Sequence, residues 1–175
     1  MVKLNDVRKE FIENGHYEIC VSLDSVIQTL NKYKNDFALD LNPDFQRDYV
    51  WTESQQIAYV EFLLKGGLTS RTIYFNMKGW MTDFSGQMVI LDGKQRLNSI
   101  VKFLKNELKV FGYYLDDFED KDRILRHYEL RFNINDMSNR KDILQWYIDY
   151  NTGGTVHSEE EINRVKLLLK NELNK

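Results

Sequence analysis

The chain has 175 residues, of which 42% are hydrophobic and 13% aromatic, so it is long and apolar enough to bury a core. Its formal net charge of -3 gives no general attraction to nucleic acid, and such binding would require a local basic patch. Cys20 is the only cysteine, which excludes a disulfide framework and favours a reducing cytoplasm. The charged N-terminal segment has no apolar centre typical of a signal peptide, and no apolar run has the ~18 residues of a membrane span.

The first half of the chain combines helical periodicity with one long irregular segment. In chain order, the patterns predict a short helix over 4–13 and a strand over 17–22. They next predict a helix that is capped by Ser22 and has Val26, Ile27 and Leu30 on its inward face, followed by an extended loop over 35–51. Thr52 and Gln55 match a capping box, which predicts a helix that ends at Gly66 and Gly67. Its predicted inward face contains Ile57, Val60 and Leu64.

The second half alternates strand and helix patterns without regular β-α units. It predicts paired strands over 71–77 and 87–91, a helix from 94 with Leu97, Ile100, Val101, Leu104 and Leu108 inward, and a strand over 127–134. It then predicts a helix from Ser138 with Ile143, Leu144, Tyr147 and Ile148 inward, a break over 151–155, and a last helix opened by Ser158 and Glu161 with Ile162, Val165, Leu169 and Leu173 inward. This mixture predicts an α+β fold in a single domain over 1–175, with a core over about 17–134 and a helical C-terminal part over about 135–175.

Several common catalytic signatures are missing from the sequence. It contains no phosphate loop ending in Gly-Lys-Ser/Thr, no GxGxxG, no HExxH and no GxSxG. His16, His127 and His157 lie far apart, so a zinc site built from histidine and cysteine is not expected.

The segment LDGKQR over 91–96 places Lys94 and Arg96 in the first turn of a predicted helix. Cations there oppose the helix dipole at a cost of about 0.3–1 kcal/mol each, unless an anion or a nearby carboxylate offsets them. A phosphate at the helix N-terminus would do so, and Asp92 would then hold a bridging divalent cation. The alternative is structural, with Asp92 as an N-cap, Gly93 as a turn glycine and Lys94 as a solvated charge.

Two further clusters allow both a functional and a structural interpretation. In NPDFQRDYVW over 42–51, aromatic side chains next to Arg47 would stack on a base or, alternatively, anchor a loop. In NTGGTVHSEEE over 151–161, Asn151 and Thr152 would border a ligand pocket, or the glycines would only connect two helices.

Three ordered segments resemble one known family. They are PDFQRDYVW at 43–51, VILDGKQRL at 89–97 and NTGGTVHSEEEI at 151–162. They are similar to the motifs of the ParB/sulfiredoxin-like DGQQR family, which supplies the N-terminal domain of GmrSD- and BrxU-type modification-dependent restriction enzymes. The resemblance covers roughly residues 20–170.

The resemblance implies a ParB-like core, with a small mixed sheet flanked by helices, in which the first two motifs converge on one pocket. It implies a nucleoside triphosphate as ligand, a metal-dependent NTPase activity with Mg²⁺ or Mn²⁺, and a weak nuclease activity. Carried over by motif, the site residues are Gln46, Arg47, Asp92, Gly93, Lys94, Gln95, Arg96, Asn151 and Thr152.

The roles implied for these residues follow the chemistry of phosphoryl transfer. Arg47 and Arg96 would clamp phosphates, Asp92 would position a metal ion or water, and Gln95 would orient the nucleotide or the water. Lys94 departs from the family pattern, which has glutamine there, and it either strengthens phosphate binding or marks a lost contact.

Relatives carry a C-terminal HNH nuclease domain, whose histidine-rich signature this sequence lacks. If the chain is complete, the resemblance implies a stand-alone module in restriction, anti-restriction or phage–host conflict, with DNA and a restriction or phage protein as further partners; otherwise the chain is one part of a larger protein. The alternative is a non-enzymatic module that binds DNA or protein and has kept the fold without catalysis.

Overall fold

A four-stranded mixed sheet lies at the centre of the computed structural model, which describes residues 16–152 and 159–174. The strands are β1 His16–Ser22, β2 Thr72–Met77, β3 Met88–Asp92 and β4 Glu129–Asn135, in the order β1-β4-β2-β3 across the sheet. β4 pairs antiparallel with β1 and parallel with β2, whereas β2 and β3 form an antiparallel hairpin. The predicted α+β class and the small mixed sheet are confirmed.

Six α-helices accompany the sheet within the described residues. They are α1 Leu23–Phe37, α2 Glu53–Leu64, α3 Lys94–Leu104, α4 Lys121–His127, α5 Arg140–Thr152 and α6 Glu159–Leu173. The predicted capping box opens α2, because the Gln55 amide donates to Thr52 Oγ1 at 3.3 Å and the Thr52 amide donates to Gln55 Oε1 at 2.9 Å. None of these helices is both long enough and apolar enough to cross a membrane.

The main hydrophobic core covers one face of the sheet. Alternate residues of β2, Ile73, Phe75 and Met77, are fully buried there, as the two-residue period of a strand requires. The helices α1, α2 and α3 pack on this face through Val26, Val60, Ile100 and similar side chains. Each fully buried side chain of this size contributes about 1.5–3 kcal/mol relative to exposure.

A second hydrophobic cluster lies at the β3 end of the sheet. Its buried members are Phe45, Leu91, Met137, Leu144, Tyr147, Ile148, Ile162 and Val165. They come from β3, the loop before α2, the segment between β4 and α5, and the helices α5 and α6, so the C-terminal helices pack where β3 ends. The division into a core and a helical C-terminal part stays a prediction.

Some predictions about the elements are wrong, one helix has no counterpart among them, and two predictions cannot be compared. The Ser22 side chain does not cap α1, and α1 extends to Phe37, beyond the predicted start of the loop at 35. The helix from 94 ends at Leu104, because Asn106 adopts a left-handed φ of 58°, and Leu108 is buried beyond the helix. Leu173 is 59% exposed rather than inward. The helix α4 was not predicted, because none of its residues is buried and it has no apolar period. The predicted helix over 4–13 and the Ser158 cap lie outside the described residues.

Candidate functional site

The turn between β3 and α3 is shaped by a bulge and a glycine. The β2–β3 register shifts by one residue between Tyr74 and Phe75, which places Asp92 opposite Tyr74. Gly93 follows with φ 93°, and a Cβ there would lie 2.6 Å from Ile73 Cδ1 and 3.3 Å from Ile73 Cα. A left-handed conformation and a close approach to β2 both require glycine at this position. Helix α3 therefore begins tight against the sheet.

The 42–51 loop lies directly against this turn. Gln46 Nε2 donates to Leu91 O at 2.6 Å, so the glutamine of the first motif binds the backbone of β3. Phe45 is buried and packs edge-on against Tyr147, with ring centroids 5.4 Å apart. The aromatic residue thus anchors the loop to α5, as the structural interpretation of this segment expects.

Two side chains of the second motif hold the same loop. Lys94 Nζ donates to Arg47 O at 2.7 Å and lies 4.6 Å from the centre of the Tyr49 ring. Gln95 Nε2 donates to Asp48 O at 2.7 Å, and Gln95 Oε1 accepts from the amides of Val50 and Trp51 at 3.2 Å each.

Both Lys94 and Gln95 are buried, at 6% and 7% exposure. The interpretation of Lys94 as a solvated surface charge is therefore wrong. Burial lowers the pKa of Lys94, and the nearby carboxylates of Asp48 and Asp40 counteract part of that shift.

Arg96 connects three parts of the chain. Its Nη2 forms an ion pair with Asp92 four residues earlier, and its Nη1 donates to Thr72 O at 2.8 Å and Ser70 O at 3.2 Å. Arg96 therefore positions β2 against α3. Its charge in the first helical turn is offset by the Asp92 carboxylate, which is the internal compensation that the sequence left open.

Helix α6 supplies a further arginine that the sequence did not single out. Arg164 Nη1 donates to Asp44 O, and its Nη2 donates to Phe45 O at 3.0 Å and Gln46 O at 3.1 Å. Together with Lys94 and Gln95, it provides donors for five successive carbonyls of the loop, those of residues 44 to 48. Backbone acceptors leave no mark in a sequence, so no signal identified Arg164.

Arg47 has a looser environment than the other cations. Its Nη1 lies 3.5 Å from Glu161 Oε2, and its side chain is 29% exposed. The structure thus brings Gln46, Arg47 and the Asp92–Arg96 segment together, as predicted.

Asn151 and Thr152 do not join this group through any described contact. Their side chains donate back into α5, Asn151 Nδ2 to Tyr147 O at 2.7 Å and Thr152 Oγ1 to Ile148 O at 2.9 Å. Their predicted place at the edge of a ligand pocket stays a prediction.

Two neighbouring cavities lie at this junction. The turn cavity, of about 70 Å³, is lined by Gln46, Arg47, Trp51, Asp92, Gly93, Lys94, Gln95 and Arg96. The outer groove, of about 950 Å³, lies between the 42–51 loop and α6 and shares Gln46, Arg47 and Lys94 with the turn cavity. The turn cavity has room for about two water molecules, whereas the outer groove has the size of a ligand pocket.

The donor set does not fit a pre-formed site for Mg²⁺ or Mn²⁺. The described residues contain no group of three or more histidine, cysteine, aspartate or glutamate side chains placed to hold a metal ion. Asp92, the predicted ligand, has its Oδ2 bound to Arg96, whose positive charge opposes a divalent cation at the same carboxylate.

Comparison with known families gives a match over most of the chain. The model of the GmrSD restriction endonuclease N-terminal domain matches residues 26–172. The chain belongs to this family. No curated protein and no solved structure gave a significant match. The family match covers all three motifs that carried the resemblance, and it places the domain in the context of restriction.

Proposed function

We propose that this domain binds a nucleoside triphosphate, with a phosphate group in the turn cavity, and serves as a nucleotide-dependent module of a restriction system. The family supports the restriction context, because its members are N-terminal domains of GmrSD-type restriction endonucleases. The charge and shape of the turn cavity support an anionic ligand.

One observation carries the proposal. Three cations, Arg47, Lys94 and Arg96, line the turn cavity with a single carboxylate, that of Asp92, although the whole chain has a net charge of -3. A local excess of positive charge in an acidic protein attracts an anion and concentrates it at the site.

The start of α3 adds to this attraction. Its N-cap is Gly93, no side chain caps it, and its first turn contains no acidic residue. The first amides of the helix have no partner within the helix, and the dipole adds partial positive charge there. Such an N-terminus binds phosphate oxygens.

The three cations divide into two, Lys94 and Arg96, that hold the walls of the turn cavity and one, Arg47, that is available to a ligand. Lys94 and Arg96 donate to backbone carbonyls, so their charge reaches the cavity while their hydrogen bonds maintain its walls. Arg47 has one long ion pair and is partly exposed, so it can turn toward a phosphate at little cost. We therefore assign direct phosphate contact to Arg47 and wall-forming roles to Lys94 and Arg96.

Hydrolysis is the second step of the proposal. Phosphoryl transfer depends on a charge clamp and a positioned water rather than on a covalent nucleophile. The amide of Gln95 is fully engaged with the loop, so orienting a water would require it to exchange one of those bonds. We expect hydrolysis to be slow for this reason, and Mg²⁺ to enter with the nucleotide phosphates rather than at a protein site.

The test is titration calorimetry with the four NTPs, with and without Mg²⁺, on wild type, Arg47→Gln and Arg123→Gln. Arg123 is an exposed α4 residue outside both cavities, so it is the matched control. We expect at least one NTP to bind, a loss of about 10-fold in affinity for Arg47→Gln, and no change for Arg123→Gln. Absence of binding by wild type at millimolar NTP would refute the proposal, as would equal affinity of the two variants.

A non-enzymatic module that binds DNA or protein is the second candidate. It is favoured by the internal use of Lys94, Gln95 and Arg96, whose hydrogen bonds go to the protein itself. Phosphate release distinguishes the two candidates. Turnover that is lost in Arg47→Gln supports the enzyme, whereas binding of DNA or protein without NTP binding supports the module.

A further inference from the structure

A nucleotide with a phosphate in the turn cavity must extend beyond it, because about 70 Å³ holds little more than one phosphate group. The outer groove is one direction, but its lining contains no aromatic ring and includes four carboxylates, those of Asp44, Asp48, Glu160 and Glu161. Such a lining offers a nucleobase no stacking partner, and its cations, Arg47, Lys94 and Arg164, offset most of the charge of these carboxylates.

Near the turn lies the aromatic trio, formed by Tyr74 on β2, which pairs with Asp92, and by Trp146 and Tyr150 on α5. Trp146 and Tyr150 are four residues apart and stack with centroids 4.7 Å apart and an interplanar angle of 10°. Tyr74 lies 5.4 Å from Trp146 and 5.0 Å from Tyr150 between ring centroids. Tyr150 remains 42% exposed, so part of this ring assembly faces solvent.

The trio adjoins the charged end of β3. The bulge in the hairpin pairs Tyr74 with Asp92, and directly opposed residues of an antiparallel pair have Cβ atoms about 4.5–5.5 Å apart. Burial raises the pKa of Tyr150, a hydrogen bond with Tyr74 and the charge of Asp92 raise it further, and Arg96 acts in the opposite direction. The tyrosine is thus within electrostatic reach of the Asp92–Arg96 pair.

One polar atom next to the trio lacks a partner. Among the described residues, Asn133 Oδ1 is a buried side-chain oxygen without a hydrogen bond, and Asn133 is the neighbour of Tyr74 in the parallel β2–β4 ladder. A buried acceptor without a donor is uncommon in a folded protein and calls for a missing partner. A buried water has the donor chemistry to fill that place.

We propose that Trp146 and Tyr150 form the stacking platform for the base of the nucleotide whose phosphates bind at the turn cavity. The inference rests on the proposed nucleotide binding and adds the position of the base. Aromatic stacking accepts every base, because each has a π-face, so the platform provides affinity without strong base preference.

The test compares ATP with inorganic tripolyphosphate, which has the phosphates but no base. Both are titrated into wild type, Tyr150→Leu, Tyr150→Phe and Tyr113→Leu, where Tyr113 is a 58% exposed tyrosine outside the trio and serves as the control. We expect Tyr150→Leu to weaken ATP binding about 5- to 150-fold, the effect of losing one base–aromatic stack. Tripolyphosphate affinity stays unchanged, and Tyr150→Phe and Tyr113→Leu keep the wild-type ATP affinity.

Other outcomes overturn the inference in distinguishable ways. Unchanged ATP binding by Tyr150→Leu overturns the platform and leaves the proposed phosphate site unaffected. An equal loss of ATP and tripolyphosphate affinity also overturns the platform, because it indicates structural damage rather than the loss of a base contact. A short single-stranded oligonucleotide is titrated in parallel. If Tyr150→Leu weakens that oligonucleotide and not ATP, the platform serves DNA and the proposal is wrong. If wild type binds neither ATP nor tripolyphosphate, the proposed function itself fails.

Discussion

Replacing Gln95 with methionine tests whether this side chain holds the 42–51 loop. Methionine keeps the length and the helix propensity of glutamine, but it removes three hydrogen bonds, one to Asp48 O and two from the amides of Val50 and Trp51. Gln95 is only 7% exposed, so water has limited access to replace the lost amide.

The expected loss of stability follows from the net value of each bond. A typical intramolecular hydrogen bond contributes about 0.5–1.5 kcal/mol, so three bonds correspond to about 2–4 kcal/mol. For a domain of this size, this loss lowers Tm by about 4–12 °C. The domain remains folded if its free energy of unfolding lies within the usual ~5–15 kcal/mol.

The assay is urea unfolding followed by circular dichroism, with limited proteolysis to locate the change. The matched control is Gln28→Met at an exposed position of α1, which should alter the free energy of unfolding by less than about 0.5 kcal/mol. We expect the midpoint of Gln95→Met to fall with an unchanged m-value, and cleavage to increase within the 42–51 loop. A loss as small as that of the control would refute the assignment of Gln95 to the loop.

Three other predictions concern the stability of the fold at Gly93, Tyr33 and Lys94. Gly93→Ala should lower the free energy of unfolding by more than the ~1–2 kcal/mol that a left-handed alanine costs, because the new Cβ also meets Ile73. The control is Gly66→Ala, where φ is 89° and nothing lies within 4 Å of the new Cβ, so only the backbone cost applies. Equal effects of the two substitutions would contradict the contact with Ile73. Burial raises the pKa of Tyr33 to about 12, so the stability present below pH 10 is lost as the pH rises toward 12, by up to about 1.4 kcal/mol per pH unit. In urea melts over a pH series, Tyr33→Phe should lose less stability between pH 10 and 12 than wild type does. An unchanged slope would contradict this prediction. Burial lowers the pKa of Lys94, so this side chain loses its proton at a lower pH in the folded state than in the unfolded state. The free energy of unfolding of wild type should therefore rise relative to that of Lys94→Gln as the pH rises toward 10.5. A difference between the two free energies that stays constant with pH would contradict this prediction.

The sequence was sufficient for the elements that local chemistry determines. The capping box of Thr52 and Gln55, the β2–β3 hairpin and the glycine at 93 follow from patterns within a few residues. The parallel pairing of β2 with β4 joins strands separated by about fifty residues, and no local pattern records such a pairing. Helix α4 has no buried face, so it left no period to detect.

The site shows the same division between local and long-range information. The family resemblance predicts that the motifs at 43–51 and 89–97 converge on one pocket, and residues of both motifs line the turn cavity. The use of Lys94, Gln95 and Arg164 as donors to the loop was not predicted, because their acceptors are backbone carbonyls up to 120 residues away. A motif of charged and amide side chains predicts that hydrogen bonds will form, but not whether their partner is a ligand or the protein's own backbone.

The most direct test of the nucleotide site is hydrogen–deuterium exchange with and without the tightest-binding NTP at saturation. The phosphate site predicts slower exchange at the first amides of α3, over 94–96, because these amides would donate to phosphate oxygens. It also predicts slower exchange across the 42–51 loop, because the contact of Arg47 with the phosphate would restrain this loop. The exposed helix α4 should exchange at the same rate in both states. Unchanged exchange over 94–96 and 42–51, or protection confined to other parts of the chain, would contradict nucleotide binding at the β3–α3 turn.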